Sequence, residues 1–260
     1  MTNDGVLAAS GLLGVQTLPL VLGVGPQQDS VADWTAAQDE ALAALRGVGL
    51  VDSYDEVEPD LAAALYILSN PDRELVSRVY TAEGARRVCL ARRGAGHAVA
   101  TRIGDTFDIR TTWADDDPAA LTRPLLTVLG AGEPAPITSF SAPSTDVRER
   151  LDAAAGADGY AQVLYELGIE ERTAIEFGLA IATCSTHAEI VAYAHGDGIQ
   201  QRSAGAVAVY DTDRGRIVAS PGVSPDSSVW STFAPGTDHR LAEAVSALVG
   251  SLPGGGWMPR

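Results

Sequence analysis

The sequence predicts an α+β fold of two quasi-equivalent halves with pseudo-twofold symmetry, in which helices flank a central antiparallel β-sheet. Three observations carry this. The apolar period switches from helical to alternating near Glu74 and again near Glu189. Each alternating run ends in a capped amphipathic helix followed by glycine and proline. The stretch TTWADDDPAALTRPLLTVLGAGEP in the first half echoes STFAPGTDHRLAEAVSALVGSLPGG in the second, a duplication with a period far above that of solenoid repeats. Two four-strand meanders of this kind can join into one sheet. The halves are read as 1–130 and 145–260, with a proline-rich linker at 131–144, packed as one compact unit.

Taken in order, Gly5 to Gly25 is an almost uncharged run that resembles neither a signal peptide nor a membrane span. No arginine precedes Arg46, Asp4 stands before the run, and Pro19 and several glycines interrupt it. A short amphipathic helix is expected, then Leu18 to Val24 as an extended buried segment. Asp29 or Ser30 can cap a helix to Arg46, with Trp34, Ala41, Leu45 and Val48 near one face. Pro59 suits the first turn of the next helix, lined by Leu61, Leu65 and Leu68 and stopped by Asn70-Pro71.

Strands are expected at Glu74–Tyr80, Arg87–Arg92, His97–Ile103 and Thr106–Thr112, the last two joined by a Gly104-Asp105 hairpin turn. Asp115 to Asp117 place negative charge at the start of a helix carrying Leu121, Leu125 and Val128 and closed by Gly130. Two or three helices follow between Thr145 and Thr183, with Leu164, Leu167, Ile169, Ile175 and Leu179 as apolar positions. Strands are expected again at Glu189–Ala194, Ala206–Tyr210, Arg216–Ser220 and Ser228–Phe233. Pro221-Gly222 and Pro225-Asp226 are read as turns. Thr237 caps the closing helix, whose stripe is Leu241, Val245, Leu248 and Val249. Gly250 is assigned its left-handed end.

Composition excludes more than it names. A chain of 260 residues can bury about three quarters of its unfolded surface. Its 18 cations are all arginines, and a net charge of −16 repels nucleic acid and anionic lipid. Two distant cysteines, Cys89 and Cys184, make neither a disulfide framework nor a metal site and suit a reducing cytoplasm. Without lysine, a phosphate loop of the Walker type and Schiff-base chemistry are impossible.

Cys184 and His187 are the one pair that could be a nucleophile and its base. Such pairs, however, meet across a fold rather than within four residues, and a strand-entrance loop is the simpler reading. His97, His195 and His239 are read as isolated, at the surface or at strand ends. Arg86, Arg87, Arg92, Arg93, Arg102 and Arg110 concentrate positive charge on an acidic protein. They read either as a solvated sheet face with cross-strand ion pairs or as a docking patch for an acidic partner. The stretch His195 to Ala204 is a hairpin loop longer than a hairpin needs, offering an isoleucine beside an isolated cation.

Two blocks carry a family resemblance. The end of the chain, with GRI, STFAPG, an amphipathic helix and SLPGGGW, looks like the C-terminal signature of the EspG family. Val88 to Thr112, VCLARRGAGHAVATRIGDTFDIRTT, is similar to that family's strand–ARRG–strand–turn–strand segment. These are the secretion-associated chaperones of actinobacterial type VII (ESX) systems. The resemblance implies a non-enzymatic cytoplasmic chaperone without cofactor, monomeric or weakly dimeric. It would bind the hydrophobic tip of the PPE protein in a PE–PPE heterodimer and hold it soluble for secretion. It places partner binding at Ile199, Gln200, Gln201, Arg202, Ser203 and Ala204, with Arg202 as a basic residue facing an acidic one. One departure is the short Thr81 to Arg86 connection, where some members carry a long insertion used at the interface. Two other readings stand beside this: a small-molecule-binding α+β domain or enzyme using Cys184 and His187, and an ESX scaffold with a WXG-type client.

Overall fold

The computed structural model describes residues 1–224 and 228–259. In the first half the chain forms α1 (Asn3–Leu12), α2 (Val31–Gly47), α3 (Pro59–Ser69), β1 (Arg73–Thr81), β2 (Gly84–Arg93), β3 (Gly96–Ile103), β4 (Thr106–Thr112) and α4 (Pro118–Leu129). In the second it forms β5 (Phe140–Pro143), α5 (Ser144–Ala153), α6 (Gly156–Glu166), α7 (Glu171–Ile181), β6 (Cys184–Gly196), β7 (Ile199–Arg202), β8 (Val207–Thr212), β9 (Gly215–Val223), β10 (Val229–Pro235) and α8 (Asp238–Gly250). The expected caps are present: Ser30, Asp117 and Thr237 each accept a hydrogen bond from the first helical turn.

Among the described residues, ten strands form one antiparallel sheet in the order β4-β3-β2-β1-β6-β8-β9-β10-β5, with β7 on β6. Two meanders are therefore joined along β1 and β6, which pair from Arg73↔Ala194 to Tyr80↔His187. Alternation along the strands sends residues to two faces. One face, with Leu75, Val79, Val88, Ile190, Val207 and Val209, is covered by α4 and α8. The opposite face is covered in two patches. Helices α1 to α3 lie over Cys89, Ala91, Ala98 and Ala100. In the second patch Phe140, Phe177 and Phe233 pack with ring centroids 5.0–5.2 Å apart. The middle of this face, above β1 and β6, is left open.

The segments after α4 and α8 each cross to the other half. After α4, Ala135 donates its N–H to Arg216 O at 2.9 Å, and Arg216 donates back to Glu133 O at 2.6 Å. The Arg216 side chain is fully buried, bidentate on Asp211 at 2.6 and 2.9 Å, and donates to Gly130 O at 3.1 Å. A Cβ at Gly132 or Gly236 would run into it, so both positions require glycine. After α8, Arg73 donates to Pro253 O at 2.6 Å. The N–H groups of Trp257 and Met258 donate to Asp116 Oδ1 at 2.6 and 3.0 Å. The Trp257 ring is buried beside His97.

Several local expectations are corrected. Leu18 to Val24 is not an extended buried run: Leu20–Leu22 is a 3₁₀ turn, and Leu20 is 89% exposed. Gly250 is the last helical residue, because Ser251 still donates to Ala247 O; positive φ falls instead at Gly254, Gly255 and Gly256. Pro221-Gly222 lies within β9, beyond the last residue paired with β8, where a missing N–H breaks no ladder bond on that side. Pro225-Asp226 lies outside the described residues. The proline-rich stretch 131–144 carries β5, which pairs with β10. Ile175 and Leu179 face outward while Ala174, Phe177 and Ala180 are buried, since small residues let α7 pack closely on α6. Val48 is exposed past the end of α2. His97 is not at the surface but buried, in aromatic contact with Trp113 and Trp257.

Candidate functional site

The open strip over the central strand pair is a cleft of about 540 Å³. Its floor is one face of β1 and β6, paired in register as Glu74↔Tyr193, Val76↔Val191 and Arg78↔Glu189. An apolar row therefore lies between two polar ones. One wall is the end of α3 and the following Asn70-Pro71; another is Thr17 to Val21, which places exposed Leu20 at the rim. That wall is held by arginine. Arg102 Nη1 donates to Leu22 O at 2.9 Å and Gly23 O at 2.6 Å, and its guanidinium lies 5.0 Å from the Phe107 ring centre.

The far rim is the β6–β7 hairpin. Asp197 and Gly198 both have positive φ, 52° and 74°, as a two-residue turn of the type favoured by Asp-Gly requires. The hairpin pairs Gly196↔Ile199 and Tyr193↔Arg202, so alternate residues of β7 share a face. Of the six residues expected to bind a partner, Gln200 and Arg202 line the cleft. Ile199 is 59% exposed next to the turn, and Gln201 and Ala204 are exposed outside the lining. Ser203 is buried and structural: its hydroxyl accepts from Ala192 N at 3.3 Å and donates to Gly205 O at 2.9 Å.

Charge is patterned across this floor. Glu74, Tyr193 and Arg202 stand in one row across β1, β6 and β7. Arg102, Arg87, Arg78 and Glu189 stand in another across four strands. Arg87 is held below the usual arginine range by burial and then by the neighbouring Arg102 and Arg78. Among the described residues, Arg78, Arg87 and Arg202 form no ion pair. Glu74 is buried at the floor, and desolvation raises its pKa. His195 Nε2, at 3.3 Å, pulls the other way but is not aligned for a hydrogen bond.

The remaining candidates have structural roles. Cys184 opens β6 and its thiol donates to Thr186 O at 3.3 Å, while burial raises its pKa, the opposite of what a nucleophile needs. His187 stacks on Tyr80. The clustered arginines bond carbonyls more than carboxylates. Arg92 reaches Gly94 O and Asp72, Arg86 reaches Val128 O, and only Arg110 has a purely side-chain partner, Asp108. Glu74 and the Thr17 to Val21 wall were not anticipated, and His195 only as the start of the hairpin stretch, because their place in the cleft depends on strand pairing between distant segments.

A model of the EspG family matches residues 2–247. The ESX-1 secretion-associated protein EspG1 of Mycobacterium tuberculosis is 27% identical over 266 residues, covering 99% of this chain and 88% of that protein. The ESX-3 secretion-associated protein EspG3 of Mycolicibacterium smegmatis is 28% identical over 261 residues, covering 100% and 88%. Among solved structures, the fold is similar to the Mycobacterium tuberculosis type VII secretion system chaperone EspG5, determined in complex with a PE25-PPE41 dimer. The TM-score is 0.80 at 22% identity, over 99% of this chain and 97% of that one. No helix among the described residues is long and apolar enough to cross a membrane. With a family model spanning nearly its whole length, the chain belongs to the EspG family.

Proposed function

We propose that this protein is a cytoplasmic chaperone of an ESX secretion system that binds a PE–PPE heterodimer through PPE, without catalysing a reaction. It would cover the apolar tip of PPE and hold the pair soluble until secretion. The observation that carries this reading is the cleft on the central strand pair: an apolar row between charged rows, with exposed Leu20 at its rim. A client with an exposed apolar patch aggregates unless that patch is covered, and an apolar floor with a charged rim can cover it selectively and reversibly. Within Ile199 to Ala204, Gln200 and Arg202 face the client, while Ile199 alternates to the other face of β7. The fold's likeness to a chaperone solved with a PE25-PPE41 dimer supports the choice of client class.

The test is co-expression with the PE–PPE pair encoded beside the gene, followed by affinity capture and size-exclusion chromatography. The expected result is a stable complex of one copy each, with PPE soluble only when this protein is present. Failure with every local PE–PPE pair, the protein itself being folded, would overturn the client assignment.

A further inference from the structure

Glu74 is an unusual residue to find in the floor of this cleft. It is 6% exposed, and its row neighbours across the sheet are Ala91 and Tyr193. Among the described residues no backbone N–H and no arginine bonds its carboxylate; its ion-pair partner is His195 Nε2, at 3.3 Å and poorly aligned, which leaves acceptor capacity on the two oxygens unused. Burying a carboxylate with one ill-aligned partner costs free energy, and a fold that only needed a filled floor would place an apolar residue there, as it does two positions on at Val76. The other charged groups lining the cleft are Arg78 on β1, Glu189 on β6 and Arg202 on β7; Tyr193 and His195 on β6 are titratable. The α3 end and the Thr17 to Val21 wall bring no charge. On β2, behind Glu74, Cys89 is buried, and its thiol is pushed up by burial and then by Glu74 itself.

We infer that Glu74 is the polar specificity determinant of the cleft, an acceptor left open for a hydrogen-bond donor on the client segment that enters it. Apolar side chains of that segment lie on Val76 and Val191, and its donor, an amide, hydroxyl or ammonium group, reaches the Glu74 carboxylate. This rests on the chaperone reading and deepens it. A client with a carboxylate or a plain hydrocarbon at that position would repel Glu74 or leave it with His195 alone, and would be rejected on that ground.

The inference separates from a merely structural role by sign. Because burial disfavours the ionised form, the free protein's stability from this group is full below the ordinary glutamate pKa and lost as pH rises through the elevated one. Glu74→Gln and Glu74→Leu should therefore melt at or above the wild-type temperature near pH 7, with the gap closing toward pH 4. Both should nonetheless bind the co-expressed PE–PPE pair about tenfold or more weakly. Wild-type affinity should fall as pH drops through the elevated Glu74 pKa, and Glu74→Gln should lose that part of the pH dependence. Calorimetry of the purified pair against the three proteins between pH 5.5 and 8 reads all of this. Equal affinity for wild type and both variants, or superimposable pH profiles of wild type and Glu74→Gln, would sink the inference while leaving the chaperone reading intact. If wild type captures no PE–PPE pair, the chaperone reading fails and this inference goes with it.

Discussion

At the scale of single residues, two side chains with the same charge do opposite work. Arg216 is buried and held by Asp211 and a carbonyl through Nε and Nη2, whereas Arg202 is exposed, forms no ion pair among the described residues and sits on a short strand. Reversing Arg202 should leave folding untouched, since surface changes away from special features stay within about 0.5 kcal/mol. Arg202→Glu is expected to melt like wild type but to bind the PE–PPE pair at least ~10-fold more weakly, with a smaller salt dependence; a titration at two ionic strengths checks both. Arg202 stands out in the sequence as an isolated cation, but the stretch around it, read there as an over-long loop, is two paired strands joined by a two-residue turn. Glu74 does not stand out. A glutamate in an alternating strand reads as solvent-facing until the partner strand and the wall above it are known. His97 lies at a strand end as read, but its burial was not legible for the same reason, since its cover, Trp257, comes from the far end of the chain.

At the scale of elements, local chemistry was the most legible part of the sequence. The caps at Ser30, Asp117 and Thr237 and the Gly104 turn follow from residue type alone. β5 escaped because four residues between prolines carry no period of their own and are a strand only by pairing with β10. The β6–β7 hairpin depends on Gly198 at φ 74°. Gly198→Val would force a β-branched residue into left-handed backbone at a cost of about 1–2 kcal/mol. Amide hydrogen exchange at Ile199 to Arg202 should accelerate, the melting temperature should move little, and client affinity should fall. Protected β7 amides in that variant would mean the turn is not what holds Arg202.

At the scale of the whole molecule, the duplicated plan was readable from the echo between the two capped helices. The crossing of the post-helix segments was not, because nothing in SLPGGGW says whose strand it will cover. Trp257→Ala should cost ~3–5 kcal/mol, the usual loss for deleting a buried aromatic ring. The effect should be felt at the start of β3, whose amides should exchange faster in the variant; if only α8 loosened, the cross-half packing would be local. This arrangement also sets an order of events at the ribosome. The first meander is made early, but its inner edge waits for β6, and the pocket around His97 waits for Trp257. The roughly 160 residues between those two take about 10–30 s to synthesise at ~5–20 residues per second. For that interval the nascent chain carries an uncovered pocket, and until β6 is made it also carries an unpaired strand edge. A protein proposed to shelter other chains is thus, while it is being made, a chain in need of shelter.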